Sequence, residues 1–319
     1  MLHCPIGKNL KCVSFSIWTN PFRAYTTSLK RPLVKVIRLG RMEYTEALKL
    51  QQQIINYHMN KYRDGLTDDY LLQVEHLPVY TCGRRQWKTV QEELKFPWNE
   101  QDTQSKESCV PIHRIDRGGK VTYHGPGQVV IYPLFDLRNE AAYKKDLYWY
   151  LRTLEDVVMS LLTQDYHIDK EPCNAKCFHD EEFTGVWVSR HVQQTDNTIK
   201  TLNLNSNANA NANANANANA NAIQRSDKIS AIGVGISRWK TYHGLSFNVN
   251  CDLTFFDKIV PCGIRDPNKG VTNLCDIVSA RGTMPTISTV SDQLVAHFER
   301  VFQVKCVDAD LGHLHALSL

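Results

Sequence analysis

The first 42 residues of this 319-residue chain contain no aspartate or glutamate, while lysine or arginine stands at positions 8, 11, 23, 30, 31, 35, 38 and 41. Taking those eight from the 37 basic residues leaves 29 against 33 acidic ones, so the net +4 of the whole chain hides a mildly acidic body. That removes the main support for a nucleic-acid-binding reading. No uninterrupted apolar run approaches the roughly 18 residues of a membrane span. Ten cysteines occur without regular spacing or secretory context, which fits reduced thiols and not a disulfide framework. Cys173 and Cys177 form the closest pair, but a zinc site would need two further ligands, and only His167 and His179 stand nearby.

The acid-free start carries Phe15, Trp18, Phe22 and Tyr25 among its basic and hydroxyl residues, a composition of organelle transit peptides. Residues 1–32 are therefore read as a leader, with mitochondrial import expected first and plastid import as the alternative. Arg23-Ala24-Tyr25 before Thr26 resembles a matrix-protease cleavage site. Residues 33–319 are read as one domain, since a hydrophobic fraction of 42% and a charged fraction of 22% are ordinary for a globular protein.

Apolar residues recur at helical spacing from Tyr44 to Tyr62, with Gly65 just beyond. A clearer helix follows Asp146, a candidate N-cap, with Leu147, Tyr150, Leu151, Leu154, Val157, Val158, Leu161 and Leu162 along one side. A last helix near Ser291 carries Leu294, Val295, Phe298, Val301 and Phe302, with Thr289 and Asp292 suggesting its cap. Runs rich in β-branched and aromatic residues predict strands at 71–74, 79–81, 112–115, 129–132, 186–188, 229–234 and 242–249. Without a regular βαβ rhythm, this mixture predicts an α+β domain around a mixed sheet. Residues 207–222 are a strict Asn-Ala repeat with no apolar face, read as a disordered insertion in a surface hairpin loop.

The chemistry concentrates in two places. Arg117-Gly118-Gly119-Lys120-Val121-Thr122-Tyr123-His124-Gly125-Pro126-Gly127-Gln128 is a run whose glycines and prolines let backbone approach a ligand closely, with polar side chains beside it. Cys262 lies between Pro261 and Gly263, and a thiol whose ordinary pKa is about 8.5 becomes a good nucleophile when an ammonium such as that of Lys228 stands beside it. A Cys/His arrangement remains open, because His124 and His243 each precede glycine. Arg117, set before two glycines, suggests an anion or carbonyl site.

With these residues in place, the chain resembles the octanoyl-carrier-protein:protein octanoyltransferases over roughly Leu33 to Phe302. The motifs are Glu75 through Arg84, Arg117 through Gln128 with Tyr132-Pro133, Thr184 through Val188, Lys228 through Val234, Tyr242 through Leu245, Asn248-Val249, Asp252-Leu253 and Ile259 through Ile264. The resemblance implies a fold similar to the catalytic domains of biotin and lipoate ligases and a reaction without a cofactor. It implies that Cys262 takes the octanoyl group from an acyl carrier protein as a thioester, that Lys228 serves as acid and base, and that a lysine of a lipoyl domain accepts the group. Such acceptors are lipoyl domains of 2-oxoacid dehydrogenases and the glycine-cleavage H protein. By motif, the substrate-binding residues are Arg117, Gly118, Gly119, Lys120, Val121, Thr122, Tyr123 and His124, then Ala231, Ile232 and Gly233, then Gly244, Leu245 and Ser246. The chain departs from the pattern at Ser230, Gly235 and Ser246-Phe247, none of which removes a catalytic group.

Two rivals are a lipoate-protein ligase, which activates free acid with ATP and needs no cysteine, and an inactive scaffold binding the same partners. Both are disfavoured by Cys262 and Lys228 at their motif positions. For docking an acidic carrier protein, Arg84, Arg85 and Lys88 form one candidate patch and Lys144-Lys145 another.

Overall fold

A computed structural model describes residues 31–61, 65–83, 87–88, 110–195, 198–201, 222–260, 263, 266–282 and 284–312. Residues 1–30 of the expected leader, Arg84-Arg85, most of the Asn-Ala repeat and Cys262 lie outside the described residues; of the repeat, Ala222 is the first residue of a strand.

The strands are β1 (Leu33–Met42), β2 (Asp69–His76), β3 (Val79–Gly83), β4 (Ile112–Ile115), β5 (Thr122–His124), β6 (Gln128–Leu134), β7 (Lys176–His179), β8 (Gly185–Thr195), β9 (Thr198–Thr201), β10 (Ala222–Ser237), β11 (Lys240–Asn248), β12 (Lys269–Val271) and β13 (Lys305–Asp308). The helices are α1 (Tyr44–Asn60), α2 (Leu147–Gln164), α3 (Leu274–Val278) and α4 (Ile287–Val301). The main sheet runs β13-β1-β2-β6-β11-β10-β8-β7, with β12 beside β10 and β9 beside β8. It is mixed: β1 is parallel to β2 and β13, and β2, β6, β11, β10, β8 and β7 alternate in direction. The second sheet, β4-β3-β5, is small.

The expected α+β class holds, and Asp146 caps α2 as expected, its Oδ1 accepting from the amides of Tyr148 and Trp149 at 2.8 and 3.1 Å. The cap of α4 differs from expectation: Thr286 takes the position, its hydroxyl accepting from the Thr289 amide, so Thr289 lies inside the first turn. β1 has no counterpart among the predicted strands, because its basic residues Lys35, Arg38 and Arg41 break the apolar run. Those side chains reach Asp68, Asp292 and Asp308, and Glu75 respectively, so the strand is polar at its rim and buried at Val34, Val36 and Ile37.

Alternation of side chains divides the sheet cleanly. Leu71, Val129, Ile131, Leu245, Phe247 and Ile229 face one side, where they pack with Leu154, Val157, Val158 and Leu161 of α2 and Leu294 and Phe298 of α4. Leu72, Val74, Val130 and Tyr132 face the other, with Ala47 and Ile54 of α1. On that second side the register sets Val74 opposite Val130, Val130 opposite Ser246 and Ser246 opposite Ala231. Side-chain size therefore falls along the row from β2 to β10, leaving space above β11 and β10. Gly233 pairs with Gly244 in the next row, keeping that space open.

Candidate active site

The space is roofed by the loop from Asp116 to Lys120. The Gly118 amide donates to the Val234 carbonyl at 3.1 Å, tying the loop to β10, and Gly83 lets it pass close, since a β-carbon there would collide with the Arg117 and Gly119 carbonyl oxygens. Arg117 does not present a free fork to an anion. Its guanidinium donates to the Gly118 carbonyl at 2.7 Å and to the Thr81 carbonyl and hydroxyl at 2.8 and 2.9 Å, which makes it a clamp on the loop.

Beneath the roof are two adjoining cavities that share Thr122, Ala231 and Ser246 as walls. One is lined by Lys228, Gln128, Asn248, Phe256 and Lys269 to Val271. The other is lined by Tyr44, Arg117, Gly119, Lys120, His124, Val130, Tyr132, His243 and the Ala231–Gly233 and Gly244–Ser246 stretches. Lys228 lines the first and not the second, so its ammonium stands at one end of the pair.

Lys228 is 5% exposed. Its ammonium donates to the Thr184 carbonyl at 2.9 Å and lies 4.9 Å from the Trp187 ring centroid. Lys269 shares that ring at 5.0 Å and pairs with Asp180 at 2.6 Å. A buried polar chain supports the cavity floor: His124 meets Gln128 at 2.7 Å, Gln128 donates to Asn248 at 2.8 Å, Asn248 donates to the Thr272 carbonyl at 3.0 Å, and the Thr272 amide donates to the Lys228 carbonyl at 3.0 Å.

Both ring nitrogens of His124 are engaged, by Gln128 and by the Thr81 hydroxyl, and burial pushes its pKa down to about 3. Burial, with Arg117 adding to it, takes His243 to about 3 as well. Both imidazoles are therefore neutral and enclosed.

Of the expected substrate-binding residues, Thr122, Lys120, Gly119, Ala231, Gly233, Gly244 and Ser246 face the cavities. Ile232 and Leu245 belong to the α2/α4 side of the sheet, so only their backbone reaches the space. Val121 and Tyr123 are buried with Tyr80, Cys251 and Phe256, with Tyr123 stacked on Phe255 at 4.5 Å, and Gly118 acts through its backbone. Lys120, which lines the second cavity, lies along Gly263, where a β-carbon would collide with its side chain. Of the charged patches, Lys145 is paired with Glu140 at 2.9 Å. Gln128, Asn248, Phe256 and Lys269 escaped the sequence reading of the site. Gln128 and Asn248 stand inside quoted motifs, whereas Lys269 carries no local signal.

The family model of the lipoyl protein ligase A/B catalytic domain matches residues 43–299. An octanoyltransferase of Gloeobacter violaceus is 32% identical over 271 residues, 85% of this chain and 91% of the relative. The chain belongs to the octanoyltransferase family. A chloroplastic octanoyltransferase of Arabidopsis thaliana is 30% identical over 94% of this chain and 86% of its own length. Among solved structures, a bi-partite lipoate protein ligase from Thermoplasma acidophilum superposes with TM-score 0.54 at 14% identity, over 90% of this chain and 91% of that one. A lipoate-protein ligase A bound with ATP gives 0.51 at 14% identity, over 90% and 92%. This octanoyltransferase-family chain is thus an acyltransferase on the ligase fold, as the mixed sheet implied.

Proposed function

We propose that the chain moves an octanoyl group from an acyl carrier protein to the lysine amine of a lipoyl domain through a thioester on Cys262. The observation that carries this is the buried Lys228 ammonium at one end of a pair of adjoining cavities, the second of which has Tyr44, Val130, Tyr132 and the Ala231–Gly233 and Gly244–Ser246 stretches among its walls. The Cys262 thiolate attacks the donor thioester carbonyl, the carbon–sulfur bond to the carrier breaks, and Lys228 gives a proton to the departing thiolate. The acceptor amine then attacks the enzyme thioester, Lys228 takes back a proton from its nitrogen, and Cys262 leaves as thiolate. Gly119, Lys120, Thr122 and His124, with Ala231 to Gly233 and Gly244 to Ser246, line the acyl site in this reading, and Arg117 clamps its roof. The chain of methylenes fills the second cavity, at roughly 0.8 kcal/mol for each one buried.

Residues 1–32 serve as an organelle leader in the same reading, with 33–319 as the catalytic domain and 207–222 as a surface insertion. The mitochondrial matrix is the proposed destination, and the chloroplastic Arabidopsis relative supports the plastid alternative. Lipoyl domains of 2-oxoacid dehydrogenases and the glycine-cleavage H protein are the proposed acceptors.

The test is intact mass after mixing the leaderless protein with octanoyl-acyl carrier protein in the absence of ATP, beside Cys262→Ser. A single octanoyl increment in the wild type, missing in the variant and discharged by added lipoyl domain, is expected. Modification of the acceptor only with free octanoate plus ATP would instead assign ligase chemistry and remove the role given to Cys262.

A further inference from the structure

Glu155 is a fully buried carboxylate in the middle of α2, on the side of the sheet opposite the acyl cavities. One oxygen accepts from Arg152 and His179, each at 2.7 Å. The other accepts from the Gly185 amide at 2.7 Å. That amide belongs to the same peptide unit as the Thr184 carbonyl, the acceptor of the Lys228 ammonium at 2.9 Å. A peptide is planar, so fixing its N–H direction fixes its C=O direction. The carboxylate, peptide and ammonium thus form a continuous line of hydrogen bonds, each of which polarises the next.

The surroundings leave this peptide little freedom. Gly185 has φ +128°, where other residues are strained, and a β-carbon on it would collide with the Ser230 carbonyl oxygen and touch the Lys228 side chain. Asp180 accepts from the amides of Glu182 and Phe183, which shapes the approach to Thr184, and Trp187 donates from its ring to the Phe183 carbonyl. A surface residue would have sufficed to cap the turn. A buried carboxylate is costly to keep unless its charge is used and paired.

We propose that Glu155 is a positioning residue for Lys228, aiming and polarising the Thr184–Gly185 peptide that holds the lysine ammonium. This rests on the acid and base role given to Lys228 above. The test compares Glu155→Ala and Glu155→Gln with Leu161→Ala, a core truncation on the same helix that serves as a stability control, and with Lys228→Ala. Rates are corrected for the folded fraction measured by thermal melting.

In Glu155→Ala, kcat for octanoyl transfer should fall on the order of 100-fold, the scale of a misplaced catalytic group, with the donor KM little changed. Its pH–rate profile should move toward lower pH. Glu155→Gln, whose amide oxygen can still accept from Gly185, should recover most of kcat and show a smaller displacement in the same direction. If Glu155→Ala does not fold, the Glu155→Gln profile decides alone. A profile superimposable on wild type in the glutamate variants, with kcat no lower than in Leu161→Ala, would overturn the proposal while leaving Lys228 in its role. Full transfer by Lys228→Ala would overturn both readings, and the two failures are therefore distinguishable.

Discussion

Ala231 offers the sharpest probe of the acyl cavity, because it stands on the wall common to both chambers, opposite Ser246. Ala231→Leu places three further carbons in that passage. At about 0.8 kcal/mol per buried methylene, displacing an equal length of acyl chain costs octanoyl transfer about 2.4 kcal/mol, or roughly 60-fold in kcat/KM. A hexanoyl donor reaches two methylenes less deeply and loses only about 0.8 kcal/mol, roughly fourfold, by the same reckoning. The wild type should prefer octanoyl over hexanoyl by about 1.6 kcal/mol, roughly 15-fold, and the variant should show almost no preference. The assay is kcat/KM across acyl thioesters of four to ten carbons with a lipoyl domain as acceptor. Equal losses for both donors, leaving the ratio unchanged, would refute the assignment of this cavity to the acyl tail.

Burial holds His58 and His76 near about 4 and His124 and His243 near about 3, below the ordinary histidine value of about 6.5. Below pH 6.5 the unfolded chain binds protons that the folded one refuses, so stability is complete above that pH and falls from 6.5 toward 4, by up to about 1.4 kcal/mol per pH unit for each ring. Asp69, raised to about 7 by burial, keeps its proton in the fold and offsets one ring over the same window. Urea midpoints at pH 7.5, 6 and 5 should decline steadily, and a flat series would show that these rings are not neutral in the fold. Lys240→Met takes from Asp136 a 2.6 Å pair in which both partners are fully buried, leaving it Arg138 and Thr67, and should cost about 3 kcal/mol in urea unfolding. Asp146→Ala removes the oxygen that accepts from two amides at the start of α2 and should cost about 1 kcal/mol in the same assay.

The parts of the fold written in local periodicity were legible: α2, with its aspartate cap and one apolar side, and the core of strands such as Gln128–Leu134. β1 was not, because its lysine and arginines find carboxylates on β2, α4 and β13 that are distant in sequence. Lys228 and the glycine-rich run were conspicuous as motifs, yet the places of their residues divided in ways that no linear pattern records. Alternation turns Ile232 and Leu245 away from the cavity, and Thr81 converts Arg117 from a ligand-binding fork into a clamp. Lys269 reaches Trp187 only because β12 runs parallel beside β10.

The pairing of β1 with β13 sets an order on the making of this molecule. Leu33 lies opposite Lys305, 272 positions later (305 − 33), and the Lys305 and Ala309 amides close the pair onto Pro32 and Val36. That flank of the sheet therefore stays open until a segment so much further along the chain has left the ribosome. Closing so distant a pair is slow, and an open strand edge meanwhile invites intermolecular pairing. A chaperone holding the nascent chain would find its longest-lived target along that edge.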